Sequence, residues 1–124
     1  MARVLIVDDS QIVLSLHSYI MENEGFKCAV AENGFLALEM LTREHFDLVM
    51  TDVNMPRMDG YELTRIIRKT PGYEDVPIII ITTLEEAKNR MKGLEAGANI
   101  YVVKPSEPGT LVANAKMLLG GDMT

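Results

Sequence analysis

Three carboxylates, one hydroxyl and one ammonium group stand at the ends of short apolar runs in this sequence. They belong to Asp8, Asp9, Asp52, Thr82 and Lys104. Carboxylates that lie close together raise each other's pKa unless a cation sits among them. Hard oxygen ligands with room for water suit Mg²⁺, and a carboxylate can attack phosphorus to form an aspartyl phosphate. With an ammonium and a hydroxyl to contact the phosphoryl oxygens, the set predicts an Mg²⁺-binding phosphoryl-acceptor site.

The apolar runs must be neighbouring strands for these side chains to meet. Five short runs, rich in β-branched residues, are predicted to be strands: Arg3–Val7, Lys27–Ala31, Asp47–Thr51, Val76–Thr82 and Ile100–Val103. Val4–Val7 and Ile78–Ile81 are apolar at every position. Runs of that kind are typical of strands that are buried on both faces of a sheet.

Capping residues, prolines and glycines predict a helix after each strand. The predicted helices run from Ser10 to about Asn23, over Phe35–Glu44, over Tyr61–Lys69, over Glu85–Ala96 and from Pro108 to Leu119. In the first helix, the helical spacing places four apolar side chains on one face: Ile12, Val13, Leu16 and Ile20.

The alternation of strands and helices predicts an α/β fold in a single domain over residues 1–124. Short strands joined by helices pair in parallel through right-handed crossovers, which puts helices on both faces of the sheet. We expect a single doubly wound five-stranded parallel sheet with five helices, of flavodoxin-like topology, with its core at about residues 3–119 and a loose tail at 120–124. Ligands bind at the carboxyl ends of the strands in such sheets, where the five polar side chains are expected.

The net charge and the cysteine content indicate which partners and which cellular compartment suit this chain. The 124 residues carry a net charge of −6, so the backbone of a nucleic acid or an anionic membrane surface would be repelled. Cys28 is the only cysteine, which rules out an intrachain disulfide and suits a reducing compartment. The apolar runs are too short for a transmembrane helix or a signal peptide. We therefore expect a cytoplasmic domain that contacts neither nucleic acid nor membrane.

The motifs, taken in order, resemble the receiver domain of two-component response regulators, in outline the single-domain chemotaxis-type regulators. The resemblance extends from Val4 to about Leu119. It rests on Val7-Asp8-Asp9-Ser10, Asp47-Leu48-Val49-Met50-Thr51-Asp52, Asn54-Met55-Pro56-Arg57-Met58-Asp59-Gly60, Pro77-Ile78-Ile79-Ile80-Ile81-Thr82, Gly97-Ala98 and Tyr101-Val102-Val103-Lys104-Pro105.

The resemblance implies a role for each polar residue at the predicted strand ends. Asp52 would accept a phosphoryl group from a phosphohistidine, and Lys104 would contact that group. Asp9, Asp52 and the backbone carbonyl of Asn54 would bind Mg²⁺ directly, whereas Asp8 would act mainly through a bound water.

The resemblance also implies a switch and two kinds of protein partner. Thr82 would move toward the phosphate and Tyr101 would swing inward, which would change the surface formed by helix 4, strand 5 and helix 5. The phosphoryl donor would be a histidine kinase or a histidine phosphotransfer protein, and a downstream protein would read the changed surface. Contacts with the kinase are expected at Gln11, Leu14, Ser15, Pro105 and Ser106.

In this interpretation the chain is not an enzyme, except that it takes part in its own phosphorylation and dephosphorylation. Three other functions are alternatives to it. A small Mg²⁺-dependent phosphatase with an aspartyl nucleophile would need a second Asp where Asn54 stands. A flavodoxin-like cofactor binder would need a phosphate-cradling loop where Asp8-Asp9 stands. A receiver-like interaction module that is never phosphorylated would not need the whole polar set. The chain is expected to act through another protein or to be the receiver part of a longer regulator.

Overall fold

A computed structural model describes residues 2–83, 90–104 and 107–120 of the chain. Within these ranges, five strands and five helices alternate: β1 (Arg3–Val7), α1 (Gln11–Glu22), β2 (Lys27–Ala31), α2 (Gly34–Arg43), β3 (Leu48–Thr51), α3 (Gly60–Arg68), β4 (Ile78–Thr83), α4 (Arg90–Ala96), β5 (Ile100–Lys104) and α5 (Pro108–Leu118). The predicted elements are confirmed in kind and order. The predicted first turns of the fourth helix and the predicted tail after Gly120 lie outside the described residues. No helix in the described ranges is both long and apolar enough to span a bilayer.

The described strands form one parallel sheet in the order β2-β1-β3-β4-β5. Val7 at the end of β1 lies opposite Thr51 at the end of β3, and Thr51 lies opposite Ile80. Thr83 at the end of β4 lies opposite Lys104 at the end of β5. The register therefore places the carboxyl ends of these four strands along one edge of the sheet, and it confirms the predicted fold class.

The two faces of the sheet carry separate hydrophobic cores. Along β1, Leu5 and Val7 face a cluster that includes residues of α2, α3 and α4, while Val4 and Ile6 face a cluster with residues of α1 and α5. All four side chains are at most 1% exposed. This alternation explains why β1 is apolar at every position, as predicted for a strand covered on both sides.

The predicted apolar face of α1 is wrong in part. Ile20 is buried, but Ile12 is 81% exposed and Leu16 is 52% exposed. The side chains that α1 buries are Leu14, His17, Ile20 and Met21. Because α1 has apolar residues on most of its circumference, the helix can present either of two stripes to the sheet, and packing against α5 and β2 selects the one that contains His17.

Arg68 ties together loops at the amino-terminal edge of the sheet. Its guanidinium donates to the carbonyl oxygens of Val76 at 2.6 Å and Gly97 at 3.0 Å, and to Oδ1 of Asn99 at 2.9 Å. The same Oδ1 accepts the N–H of Ile78 at 2.8 Å. These bonds fix the starts of β4 and β5, the two strands that carry a hydroxyl and an ammonium group at their other ends.

Candidate functional site

The ends of neighbouring strands hold Asp8 and Asp52 side by side. The Asp52 N–H donates to the Val7 carbonyl oxygen at 3.0 Å, and the Asp8 N–H donates to the Ala31 carbonyl oxygen at 3.1 Å. Asp8 is 3% exposed and Asp52 is 7% exposed. Backbone hydrogen bonds of the sheet thus fix two carboxylates in a place that is largely shielded from water.

A third carboxylate completes an acidic cluster at this edge. Asp8, Asp9 and Asp52 each offer an oxygen atom, and these three atoms lie within 4.8 Å of one another. Asp9 is exposed, so the cluster has an open side. The Asp8 Oδ1 atom accepts the N–H of Ser10 at 2.9 Å, while the Ser10 hydroxyl caps α1 by accepting the N–H of Val13. The start of α1 therefore orients the Asp8 carboxylate.

The ammonium group of Lys104, at the end of β5, contacts the acidic cluster. Its Nζ atom lies 3.0 Å from Asp8 Oδ2 and 3.5 Å from Asp52 Oδ1. The lysine side chain is 24% exposed, so its ammonium is partly desolvated. Among the described residues, one ammonium beside three carboxylates leaves the cluster negative, and low-dielectric surroundings make that excess charge more costly than it would be in water.

Two oxygen atoms in the site lack the hydrogen bonds that buried polar atoms normally make. Within the described residues, Asp52 Oδ1 and Thr82 Oγ1 are both buried and have no hydrogen-bond partner. Thr82 is completely buried near the end of β4. Since buried polar atoms are nearly always paired, this arrangement fits a polar group that enters the site and contacts both residues.

The donor set fits a divalent cation such as Mg²⁺. The three carboxylates are hard oxygen ligands with an excess negative charge, and the buried Asp52 Oδ1 atom has the Lys104 ammonium 3.5 Å away. The exposed side chain of Asp9 leaves room for water, which Mg²⁺ usually retains among its ligands. Asn54 follows β3 and is exposed, and a role for its carbonyl as a ligand stays a prediction.

Burial dominates the electrostatics of Asp52. It raises the pKa of the Asp52 carboxyl above the usual range, and the Asp8 carboxylate raises it further. The Lys104 ammonium and the Val53 N–H act in the opposite direction and lower the pKa of Asp52. Asp52 is therefore a poorly solvated carboxylate that gains from any additional positive charge nearby.

Tyr101 lies in β5 on the same face of the sheet as Thr82. Tyr101 pairs with Ile80, two residues before Thr82 on β4. Its ring is half-buried, and its hydroxyl oxygen lies 2.8 Å from that of Tyr61 in α3. Sequence reasoning missed Tyr61, because a tyrosine after Asp59-Gly60 on the apolar side of a helix indicates only a core residue.

Two of the predicted kinase contacts are exposed on α1, and one prediction is wrong. Gln11 and Ser15 are exposed. Leu14 is 2% exposed because it packs in the core beneath α1, so it offers no surface to a partner. Pro105 and Ser106 lie outside the described residues.

Comparison with known proteins identifies the family. The sequence matches the model of the response regulator receiver domain over residues 4–116. The chain belongs to this family, whose members act in two-component signalling. Its fold is similar to that of a chemotaxis response regulator from Vibrio cholerae, with a TM-score of 0.90 and 34% identity, covering 96% of this chain and 99% of that one.

Two further proteins show the range of relatives. A probable transcriptional regulator from Cyanidium caldarium is 38% identical over 94% of this chain and 46% of its own length. The receiver domain of a sensor histidine kinase from Pseudomonas aeruginosa, solved with a magnesium ion in its active-site cleft, has a TM-score of 0.88 and 27% identity, covering 96% of this chain and 98% of that one. The chain spans about half the length of the curated relatives it matches, and 13% of a gliding motility regulatory protein from Myxococcus xanthus.

Proposed function

We propose that this receiver domain is a phosphoryl-accepting switch in which Asp52 takes the phosphoryl group from a phosphohistidine. One observation carries the proposal: the Asp52 Oδ1 atom is buried without a hydrogen bond, while the Lys104 ammonium stands 3.5 Å from it. A carboxylate oxygen so placed is available for bond formation, and the cation beside it would contact the phosphoryl oxygens.

In the transfer step, a carboxylate oxygen of Asp52 forms a bond to phosphorus as the bond between phosphorus and the imidazole nitrogen breaks. The imidazole keeps the electron pair of the broken bond, and solvent supplies any proton it takes up. The Lys104 Nζ atom donates to a phosphoryl oxygen, and the Thr82 hydroxyl, which has no other hydrogen bond among the described residues, donates to another. Asp8 holds Lys104 in position through its contact at 3.0 Å.

The side chains of Asp8, Asp9 and Asp52, with the backbone carbonyl of Asn54, would hold Mg²⁺. When bound, the ion supplies positive charge that offsets the repulsion between the carboxylates and the phosphoryl group. The mutual distances within 4.8 Å and the excess of carboxylates over ammonium groups support this assignment. Magnesium in the active-site cleft of the Pseudomonas aeruginosa receiver domain adds support by similarity.

Phosphorylation changes the surface that partners contact. Thr82 and Tyr101 share one face of the sheet, so a phosphoryl group that draws Thr82 opens space beside Tyr101 and alters the surface of α4, β5 and α5. The donor is a histidine kinase or a histidine phosphotransfer protein, and the target is a downstream protein. The net charge of −6 argues against direct contact of this domain with nucleic acid.

The intact mass of the protein after incubation with acetyl phosphate tests the proposal. We expect one added phosphoryl group in the presence of Mg²⁺ and none when the metal is chelated. Asp52→Asn should abolish the addition. Asp75→Asn is a matched control, because it makes the same change at an exposed position before β4, at the opposite edge of the sheet.

Three results would contradict the proposal. Addition that persists in Asp52→Asn would place the chemistry at another residue. No addition from acetyl phosphate or from a phosphorylated histidine phosphotransfer protein would favour an interaction module that is not phosphorylated. Release of inorganic phosphate from many donor molecules per protein would instead favour the phosphatase alternative.

A further inference from the structure

A pair of tyrosines connects the start of α3 to β5. Tyr61 is the second residue of α3 and is 4% exposed, whereas Tyr101 is half-buried in β5. Their hydroxyl oxygens are 2.8 Å apart, a hydrogen bond in which either group can donate. A buried tyrosine on one element thus engages a side chain that lies closer to the surface on another.

The packing of α4 leaves room for Tyr101 in this position. A Cβ atom at Gly93 would lie 2.9 Å from Cδ1 and 3.0 Å from Cε1 of Tyr101, closer than side chains normally approach. The Nζ atom of Lys92, next to Gly93, lies 5.7 Å from the centre of the Tyr61 ring, at a distance suited to a cation–π contact. Residues of α4 therefore accommodate both rings of the pair.

The backbone beside Tyr61 touches the backbone of the phosphoacceptor. The Gly60 N–H donates to the Val53 carbonyl oxygen at 2.9 Å, and a Cβ atom at Gly60 would overlap with the Asp52 carbonyl oxygen. Tyr61 is the next residue along the chain. The position of its hydroxyl relative to Asp52 is consequently set by contacts at the start of α3, and Thr82 takes no part in these contacts.

We propose that Tyr61 is a positioning residue for Tyr101: its hydroxyl holds the Tyr101 ring against α3 and α4 and so biases the switch toward the half-buried arrangement. The effect on signalling rests on the function proposed above. The contact by which Tyr61 restrains the Tyr101 ring does not depend on that function. Loss of one partly buried hydrogen bond shifts the ratio of held to released Tyr101 by about three- to tenfold.

The solvent exposure of the Tyr101 ring can be measured directly. The protein is labelled with ¹³C at the ring ε positions of its four tyrosines, and the signals are assigned from single Tyr→Phe variants. Paramagnetic relaxation by a soluble neutral nitroxide then reports how accessible each ring is. Tyr19, which is 65% exposed, and Tyr73, which is 7% exposed, provide the two limits.

In Tyr61→Phe we expect the relaxation rate of Tyr101 to rise toward that of Tyr19. Tyr73→Phe is the matched control, because it removes a buried hydroxyl that contacts the Glu44 carbonyl oxygen and the Phe46 N–H, away from Tyr101. An unchanged Tyr101 rate in Tyr61→Phe, or an equal rise in Tyr73→Phe, would overturn the proposal. The relaxation experiment contains no phosphoryl donor. Whether Asp52 accepts phosphate is measured separately, by intact mass, so failure of that reaction would not change the relaxation result.

Discussion

Gly60 packs directly against the main chain of Asp52. A Cβ atom at position 60 would overlap with the Asp52 carbonyl oxygen and lie 3.0 Å from the Asp52 carbonyl carbon. The Gly60 carbonyl oxygen also accepts the hydroxyl of Thr64 at 2.7 Å, which fixes the first turn of α3. The glycine thus lets a helix begin in contact with the strand end that carries Asp52.

Replacing this glycine should therefore destabilise the fold, although alanine is the better helix former. Gly60→Ala places a methyl group against main-chain atoms that cannot rotate away, and we expect the free energy of unfolding to fall by about 1–3 kcal/mol. Gly109→Ala is the control, because nothing lies within 4 Å of a Cβ atom there. It should leave stability equal or slightly higher. Urea unfolding of both variants measures the difference, and a Gly60→Ala protein as stable as Gly109→Ala would contradict the packing argument.

Thermal unfolding with and without Mg²⁺ tests the acidic cluster. Without the metal, Asp9→Asn should raise the melting temperature, because it removes one of three crowded carboxylates. With Mg²⁺ at one hundred times its Kd, the unaltered protein should gain about 2.7 kcal/mol, and Asp9→Asn should gain much less. Asp75→Asn should respond to Mg²⁺ like the unaltered protein. An equal gain in Asp9→Asn would mean that the metal binds elsewhere.

Arg68→Lys should destabilise the protein even though the charge is kept. Lysine cannot reproduce the planar set of donors that reaches the carbonyl oxygens of Val76 and Gly97 and the Asn99 side chain. We expect a loss of about 1–3 kcal/mol in the free energy of unfolding. Arg65→Lys, on the exposed side of the same helix, is the control and should change stability little. If the two variants lose the same amount, the contacts of Arg68 are not what matters.

Cys28 should react slowly with thiol reagents at neutral pH. Burial, with a smaller contribution from Glu22, raises the pKa of the Cys28 thiol to about 11. Because only the thiolate reacts and an unperturbed thiol has a pKa of about 8.5, alkylation at pH 8 should be roughly 200-fold slower in the folded protein than in urea. The rate should rise about tenfold per pH unit from pH 8 to pH 10. A pH-independent rate over that range would contradict the raised pKa.

Much of the fold and of the site follows from local sequence features. β-Branched runs mark the strands, and the side chains of Ser10, Asn33 and Asp59 cap the helices that follow them. Parallel pairing then brings Asp8, Asp52, Thr82 and Lys104 to one edge, because each stands at or next to the end of its strand.

What the sequence did not predict depends on contacts between distant elements. The buried face of α1 could not be chosen from spacing, since Ile12 and Leu16 are as apolar as Leu14 and only the packing of neighbouring elements distinguishes them. The hydrogen bond between Tyr61 and Tyr101 joins residues forty positions apart. No local pattern indicates it, because it depends on the distance between α3 and β5.

Trapping the phosphorylated residue tests the central claim most directly. Borohydride reduces an acyl phosphate to an alcohol, so an aspartyl phosphate becomes homoserine and can be located by peptide mass. After incubation with acetyl phosphate and Mg²⁺, we expect homoserine at position 52 and aspartate at positions 8 and 9. Homoserine at position 8 or 9, or none in protein that has gained a phosphoryl group, would contradict the assignment of Asp52 as the acceptor.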